Sequence, residues 1–125
     1  MRKARHFIPL LLFFLSCSLL RPVVFYVSPQ GNDDWSGRKT LSRASQHDGP
    51  FATLERAHQA LRQSGDRQRT VVIEPGVYSM TQGLVLDSLD SGTKRHPVVW
   101  RAAGKVQLVG ARVVQEWQPL QEPAL

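Results

Sequence analysis

The fold is decided by TVVIEPGVYSMTQGLVLDSLDSGTKRHPVVWRAAGKVQLVG, residues 70–110. Apolar runs at 70–74, 84–87, 97–102 and 106–109 alternate with turn-forming groups: Pro75-Gly76, Gln82-Gly83, Asp90-Ser91-Gly92 and Ala103-Gly104. The runs are short and rich in β-branched residues, so they read as strands and not as buried helix. Alternation in 84–86 and 106–108 places Leu84, Leu86, Val106 and Leu108 on one side, as in strands that bury one face. Residues 23–27 have the same composition, and 113–117 continue it beyond the turn at Gly110-Ala111. Short strands punctuated this way belong to a sandwich, a barrel or a coiled solenoid.

Working outward, one helix is signalled, over residues 51–62. Thr53 can cap its N-terminus, Glu55 sits in the first turn where the helix dipole favours an acid, and Leu54, Ala57, Ala60 and Leu61 share a face. Ser64-Gly65 ends it, because glycine accepts the left-handed conformation common after a helix. His58 is expected to be a solvated side chain on the outer surface. Between strand and helix, residues 28–50 carry Gly31, Asn32, Asp33, Asp34, Ser36, Gly37, Gly49 and Pro50 with little apolar content beyond Trp35 and Leu41. They read as a long irregular loop, expected to be loose between Arg38 and His47.

Residues 1–22 read as an export signal: Arg2, Lys3 and Arg5 precede an apolar run that stops at Arg21-Pro22. The run is shorter than the roughly 20 apolar residues of a membrane span, so a secreted or periplasmic protein is expected. Simple cleavage near Ser16-Cys17-Ser18 and a lipid anchor on Cys17 both stay open, and the membrane is expected as a partner only through this segment. That lone cysteine excludes an internal disulfide and a cysteine-based metal site. Removing Arg2, Lys3 and Arg5 lowers the formal charge from +6 to +3. The remaining basic residues are interspersed with acidic ones and form no basic stripe, so no nucleic-acid partner is expected.

The combination resembles a known group. Phe25-Tyr26-Val27-Ser28-Pro29, Gly31 and Asp33, followed by Gly49-Pro50-Phe51-Ala52-Thr53-Leu54 and Ala57, resemble the opening of secreted right-handed parallel β-helix proteins, the pectate-lyase-like superfamily. Val72-Ile73, Pro75-Gly76 and Tyr78, then Leu84 and Leu86, Asp90-Ser91-Gly92-Thr93, Pro97-Val98, Trp100-Arg101-Ala102 and the stretch from Val106 to Trp117 are similar to its first coils. The resemblance implies a mostly β fold: the N-terminal coils of a right-handed parallel β-helix over residues 23–120, with the helix as a cap and 121–125 as an unstructured tail. Strands of successive coils would stack about 4.8 Å apart around an apolar interior. Val72 to Val98 spans 26 positions and Val85 to Leu108 spans 23, both compatible with a solenoid repeat. About two coils fit, so an incomplete solenoid is expected, the N-terminal portion of a longer protein.

The resemblance also implies sugar polymers as partners, through hydrolysis or β-elimination; a non-catalytic glycan-binding or adhesion protein and a vestigial fragment are the alternatives. Hydrolysis needs two carboxyl groups held roughly 5 to 9.5 Å apart. Glu74, Asp87, Asp90 and Glu116 are the candidates, each expected to be an ordinary solvated turn carboxylate. Elimination needs a base beside a cation. Lys94, Arg95 and Arg101 could supply the first, and Asn32, Asp33 and Asp34 offer oxygen ligands, but two adjacent aspartates cannot fill the six to eight positions of calcium, and they read as turn formers. His96, His47 and His6 lack the spacing of a zinc helix, and Ser91-Gly92 lacks that of a serine hydrolase. No catalytic, cofactor-binding or metal-binding residue is therefore assigned, and no cofactor is expected. Of the tryptophans, Trp100 and Trp117 are expected to pack along strands, leaving Trp35 as the candidate for stacking on a sugar.

Overall fold

The computed structural model describes residues 21–65, 68–111, 116 and 118. Most of the expected export signal, the continuation at 113–117 apart from Glu116, Trp117 and the tail at 121–125 lie outside the described residues. The elements are β1 (Val23–Val27), α1 (Leu54–Gln63), β2 (Arg69–Ile73), β3 (Gly76–Ser79), β4 (Val98–Ala102) and β5 (Val106–Val109), with short 3-10 turns at Leu41–Arg43 and Ser88–Asp90.

Every strand pairing is parallel. β1, β2 and β4 form one sheet with β2 in the centre, and β3 and β5 form the second. Val23 faces Arg69, which faces Val98; Phe25 faces Val71, which faces Trp100. The chain turns from β2 into β3 through Glu74-Pro75 and from β4 into β5 through residues 103–105, so one strand–corner–strand unit lies on the next. The offset is 29 positions from Arg69 to Val98 and 30 from Gly76 to Val106. Backbone bonds continue around the corners, with Glu74 donating to the Val27 carbonyl, Ala103 to Ile73 and Gly76 to Lys105. Among the described residues the chain is thus mostly β, with parallel strands and one α-helix, as the sequence suggests.

Alternation fixes the core. Val23, Phe25 and Val27 of β1 and Val71 and Ile73 of β2 are buried with Phe51, Tyr78 and the helix residues Leu54, Ala57, Ala60 and Leu61, while Val98, Trp100 and Val106 pack partly against them. The buried helix residues are those whose spacing predicts one apolar face. Full burial of a leucine or phenylalanine contributes about 1.5–3 kcal/mol, so this face provides the main attachment of α1.

Two strand expectations need correction. Residues 84–87 form no strand: Leu84 is half-buried, and Val85 and Leu86 are 75% and 54% exposed. The partner of β5 is β3, which follows directly from the Pro75-Gly76 corner and buries Tyr78. Apolar composition marked 84–87, but among the described residues no neighbouring strand satisfies its backbone, whereas 76–79 has one. The offsets of 26 and 23 are accordingly replaced by 29 and 30, and Leu108, on the same side of β5 as Val106 and in register with buried Tyr78, is 54% exposed.

The 28–50 segment is more structured than expected. Phe51 bridges Val27 in parallel, Ser45 bridges Asp48, and the Leu41 amide donates to Glu74 Oε1 at 3.0 Å. Lys39 pairs with Asp48 at 3.2 Å. Of these, the contacts of Lys39, Leu41 and Ser45 start from the Arg38–His47 stretch expected to be loose.

Candidate functional site

Three of the candidate carboxylates, Glu74, Asp87 and Asp90, have partners or a turn to hold. Asp90 accepts a two-pronged bond from Arg62, Nε to Oδ1 at 2.8 Å and a terminal nitrogen to Oδ2 at 2.7 Å. His58 Nε2 lies 2.5 Å from the same Oδ1, and the Asp87 amide donates to Oδ2 at 2.8 Å. The Asp90 side chain is only 7% exposed, and the Arg62 bonds hold its pKa well below the usual carboxylate range. A carboxyl group so strongly ionised cannot serve as a general acid. Asp90 is therefore no solvated turn residue, and His58, 14% exposed, is not solvated either. The cluster ties α1 to the Ser88–Asp90 turn, with Asp87 capping that turn and pairing with Arg62 at 2.9 Å.

Glu74 holds the Leu41 amide through its side chain and Tyr78 Oη through its carbonyl, at 2.7 Å. The same hydroxyl reaches the Val27 carbonyl at 3.1 Å. Burial, followed by the Glu74 charge, pushes the Tyr78 pKa up to about 12. Glu116 is exposed and has a positive φ of 67°. Lys94, Arg95 and Arg101 are exposed, and no group of three or more potential ligands gathers around a metal position among the described residues.

Asp33 departs from the turn-former expectation. One of its oxygens accepts the amides of Ala52 and Thr53 at 2.8 and 3.0 Å, and the other accepts the Thr53 hydroxyl at 2.7 Å. Thr53 in turn caps α1 by accepting the Arg56 amide. Asn32 and Asp34 do form a turn, the Asp34 amide donating to Asn32 Oδ1. Trp35 is half-buried with its ring edge so close to Gly49 that a Cβ there would sit 2.5 Å away. It packs within the loop against Gly49.

One surface feature escaped sequence reasoning. Phe25 and Phe51 lie with ring centroids 5.6 Å apart, Arg38 stacks 4.5 Å above the first ring and Arg56 4.6 Å above the second. Together with Ser36, Ala60, Gln63 and Ser64 they line a groove of about 310 Å³. Arg56, Ala60 and Gln63 form one wall because residues four and three apart share a helix face. The loop forms the other wall. Gly37, at φ 68°, passes directly over the Phe51 ring, where a Cβ would come within 2.2 Å, and so carries Arg38 onto Phe25. No local sequence pattern announces a groove built from residues 25, 38, 51 and 56.

The fold has a counterpart among solved structures. The chain is similar to a glycoside hydrolase. The likeness has a TM-score of 0.61 and 28% sequence identity, over 78% of this chain and 16% of that one. This chain therefore matches about a sixth of that protein's length. No family model matches the sequence, and no curated protein matches it.

Proposed function

We propose that residues 23–111 form the N-terminal capping coils of a secreted, polysaccharide-processing right-handed parallel β-helix protein, and that bond cleavage takes place outside them. The observation that carries this reading is the 28% identity to a glycoside hydrolase over 78% of the chain. It is supported by strand–corner–strand units stacked in parallel at offsets of 29 and 30 positions around one apolar interior. Right-handed crossovers are the rule for parallel strands in one sheet. In this arrangement α1 closes the interior beside β1, and β4 and β5 present the edges on which a following coil adds its strands. The paired states of Asp87 and Asp90, and the hold of Glu74 on Leu41, favour scaffold roles for these carboxylates over catalysis.

Incubating the purified full chain with neutral, uronate-containing and sulfated polysaccharides, and counting new reducing ends, tests the reading. No release above the blank is expected. Release that disappears in Glu74→Gln or Asp87→Asn would make the chain a hydrolase in its own right and overturn the proposal.

A further inference from the structure

We propose that the open edge of β3, beside the first turn of α1, takes up an extended strand of a protein partner that carries a lysine or arginine. The pairing of β3 with β5 shows which of its backbone groups are engaged. Gly76 donates to the Lys105 carbonyl and Met80 to the Val109 carbonyl, and Gly76 and Tyr78 stand opposite Val106 and Leu108. In a parallel ladder successive residues turn their N–H and C=O groups to opposite edges, so residues 76, 78 and 80 face β5 while Val77 and Ser79 face away. The amides and carbonyls of Val77 and Ser79 have no partner among the described residues.

The other sheet treats the same edge differently. β1 is covered by its own chain, Tyr26 donating to the Gly37 carbonyl, Ser28 to Phe51 and Phe51 to Tyr26. Beyond Ser28 that cover ends: Pro29 packs against Gly76, where a Cβ would come within 2.4 Å of the proline ring, and no described segment pairs with Val77 or Ser79. A groove of about 200 Å³ lies there instead, lined by Thr53, Leu54 and Glu55 on the helix side and by Val77, Ser79 and Met80 on the strand side. Val77 is 56% exposed, and Ser79 is exposed. Strand addition uses just such a row of main-chain groups for affinity, with alternate side chains setting specificity. Leu54, Tyr78 and Met80 offer apolar contact to one set of those side chains. Charge selects the other. Glu55 is the one charged residue lining the groove, is half-buried, and has no partner for its carboxylate among the described residues. Its neighbour Arg56 is turned over the Phe51 ring and bonded to the Asp33 carbonyl, so the chain itself brings no cation into the groove. A lysine or arginine on the incoming strand therefore meets a carboxylate in a partly desolvated place, and an acidic residue meets like charge.

The bland alternative is an edge protected by being short, with water on its free groups. Amide hydrogen exchange followed by NMR separates the two. The purified full chain is titrated with acetyl-Thr-Val-Lys-Val-Thr-amide, with the same peptide bearing Glu in place of Lys, and with the Lys peptide N-methylated at Lys and the following Val, which spoils either of its edges. In the free chain the Tyr78 amide is expected to exchange slowly and those of Val77 and Ser79 fast. The Lys peptide at saturation is expected to slow Val77 and Ser79 about tenfold or more and to leave Tyr78 unchanged. The Glu peptide and the N-methylated peptide are each expected to bind about tenfold more weakly. Glu55→Gln should remove the preference for Lys over Glu. Ser79→Pro deletes an amide that β5 does not use, a place where an edge strand tolerates proline, and should weaken the Lys peptide about tenfold at an unchanged melting temperature. Where that variant fails to fold, the N-methylated peptide makes the same test on the parent chain. Slow exchange of Val77 and Ser79 in the free chain would mean that another segment or a second copy already covers the edge, and would overturn the proposal. So would unchanged exchange at both amides with the Lys peptide, equal binding of the N-methylated peptide, or a preference for Lys that survives Glu55→Gln. Strand addition at β3 needs no carbohydrate chemistry, so it and the capping reading can fail separately.

Discussion

Asp33 shows how much a single loop carboxylate can organise. It joins the turn after β1 to Ala52 and the N-cap Thr53, nineteen and twenty positions later, satisfying two amides just ahead of α1 that the helix itself cannot pair. Asp33→Ala is expected to cost about 1–2 kcal/mol, the usual range for a lost cap, and to lower the melting midpoint by several degrees in a calorimetric scan. Asp48 and Asp90 set the acid limit. Hydrogen bonds from Ser36, together with Lys39, bring Asp48 down to about 2 from its ordinary 3.8, and Arg62 depresses Asp90 further. Folded-state values below the unfolded ones mean that both contributions are complete above about pH 4 and are lost as the pH falls through the folded-state values. Stability followed by circular dichroism should therefore decline between pH 4 and pH 2, and Asp90→Asn should be less stable at neutral pH with a shallower acid decline. None of these partnerships is legible in the sequence. Asp33–Thr53, Arg62–Asp90 and Arg38–Phe25 join residues far apart in the chain, and residue type alone made His58 and Asp90 look like ordinary surface groups.

At the level of elements, local signals succeeded where periodicity and caps agree. The helix was readable because Thr53, Glu55, the Leu54-Ala57-Ala60-Leu61 face and the terminal glycine all point to one answer. Gly65, at φ 74°, takes the left-handed conformation expected after the Ser64 cap. Strands β1, β2, β4 and β5 were readable within a residue or two from their β-branched runs. β3 was not, because its Gly76-Val77-Tyr78-Ser79 has one apolar residue out and an aromatic in, beside a proline that looked like a turn. The run at 84–87 misled for the converse reason: apolar content makes a strand only where a neighbouring edge accepts its hydrogen bonds. Leu61 is the residue on which the helix is best tested. It is buried in the common core and its carbonyl receives the Ser64 amide and hydroxyl. Leu61→Asp loses the packing of a buried leucine and buries a carboxylate, at a combined cost above about 3 kcal/mol. Chemical denaturation should show that loss, and an unchanged midpoint would mean that α1 contributes little to the core.

For the whole molecule, the parallel order of the strands is what the pattern of turns could only suggest. Antiparallel hairpins would have fitted the same short runs; residues 69–73 find their partners 46 positions back and 29 positions ahead instead. Such long-range pairing leaves no local mark, so the family resemblance and not the strand spacing pointed to it. Within the described residues β4 and β5 each have one paired edge, and Val99, Leu108 and Val109 are exposed along them. In the proposed protein these edges carry the next coil. The most direct measurement is segment exchange: residues 23–111 replace the aligned segment of the similar glycoside hydrolase, and the thermal unfolding and sugar-releasing activity of the hybrid are measured. The account predicts a hybrid that unfolds cooperatively and keeps the hydrolase's activity, with Leu61→Asp lowering its melting temperature but not the activity of the folded fraction. A hybrid that fails to fold, while the same replacement procedure with the hydrolase's own segment restores a folded enzyme, would contradict it.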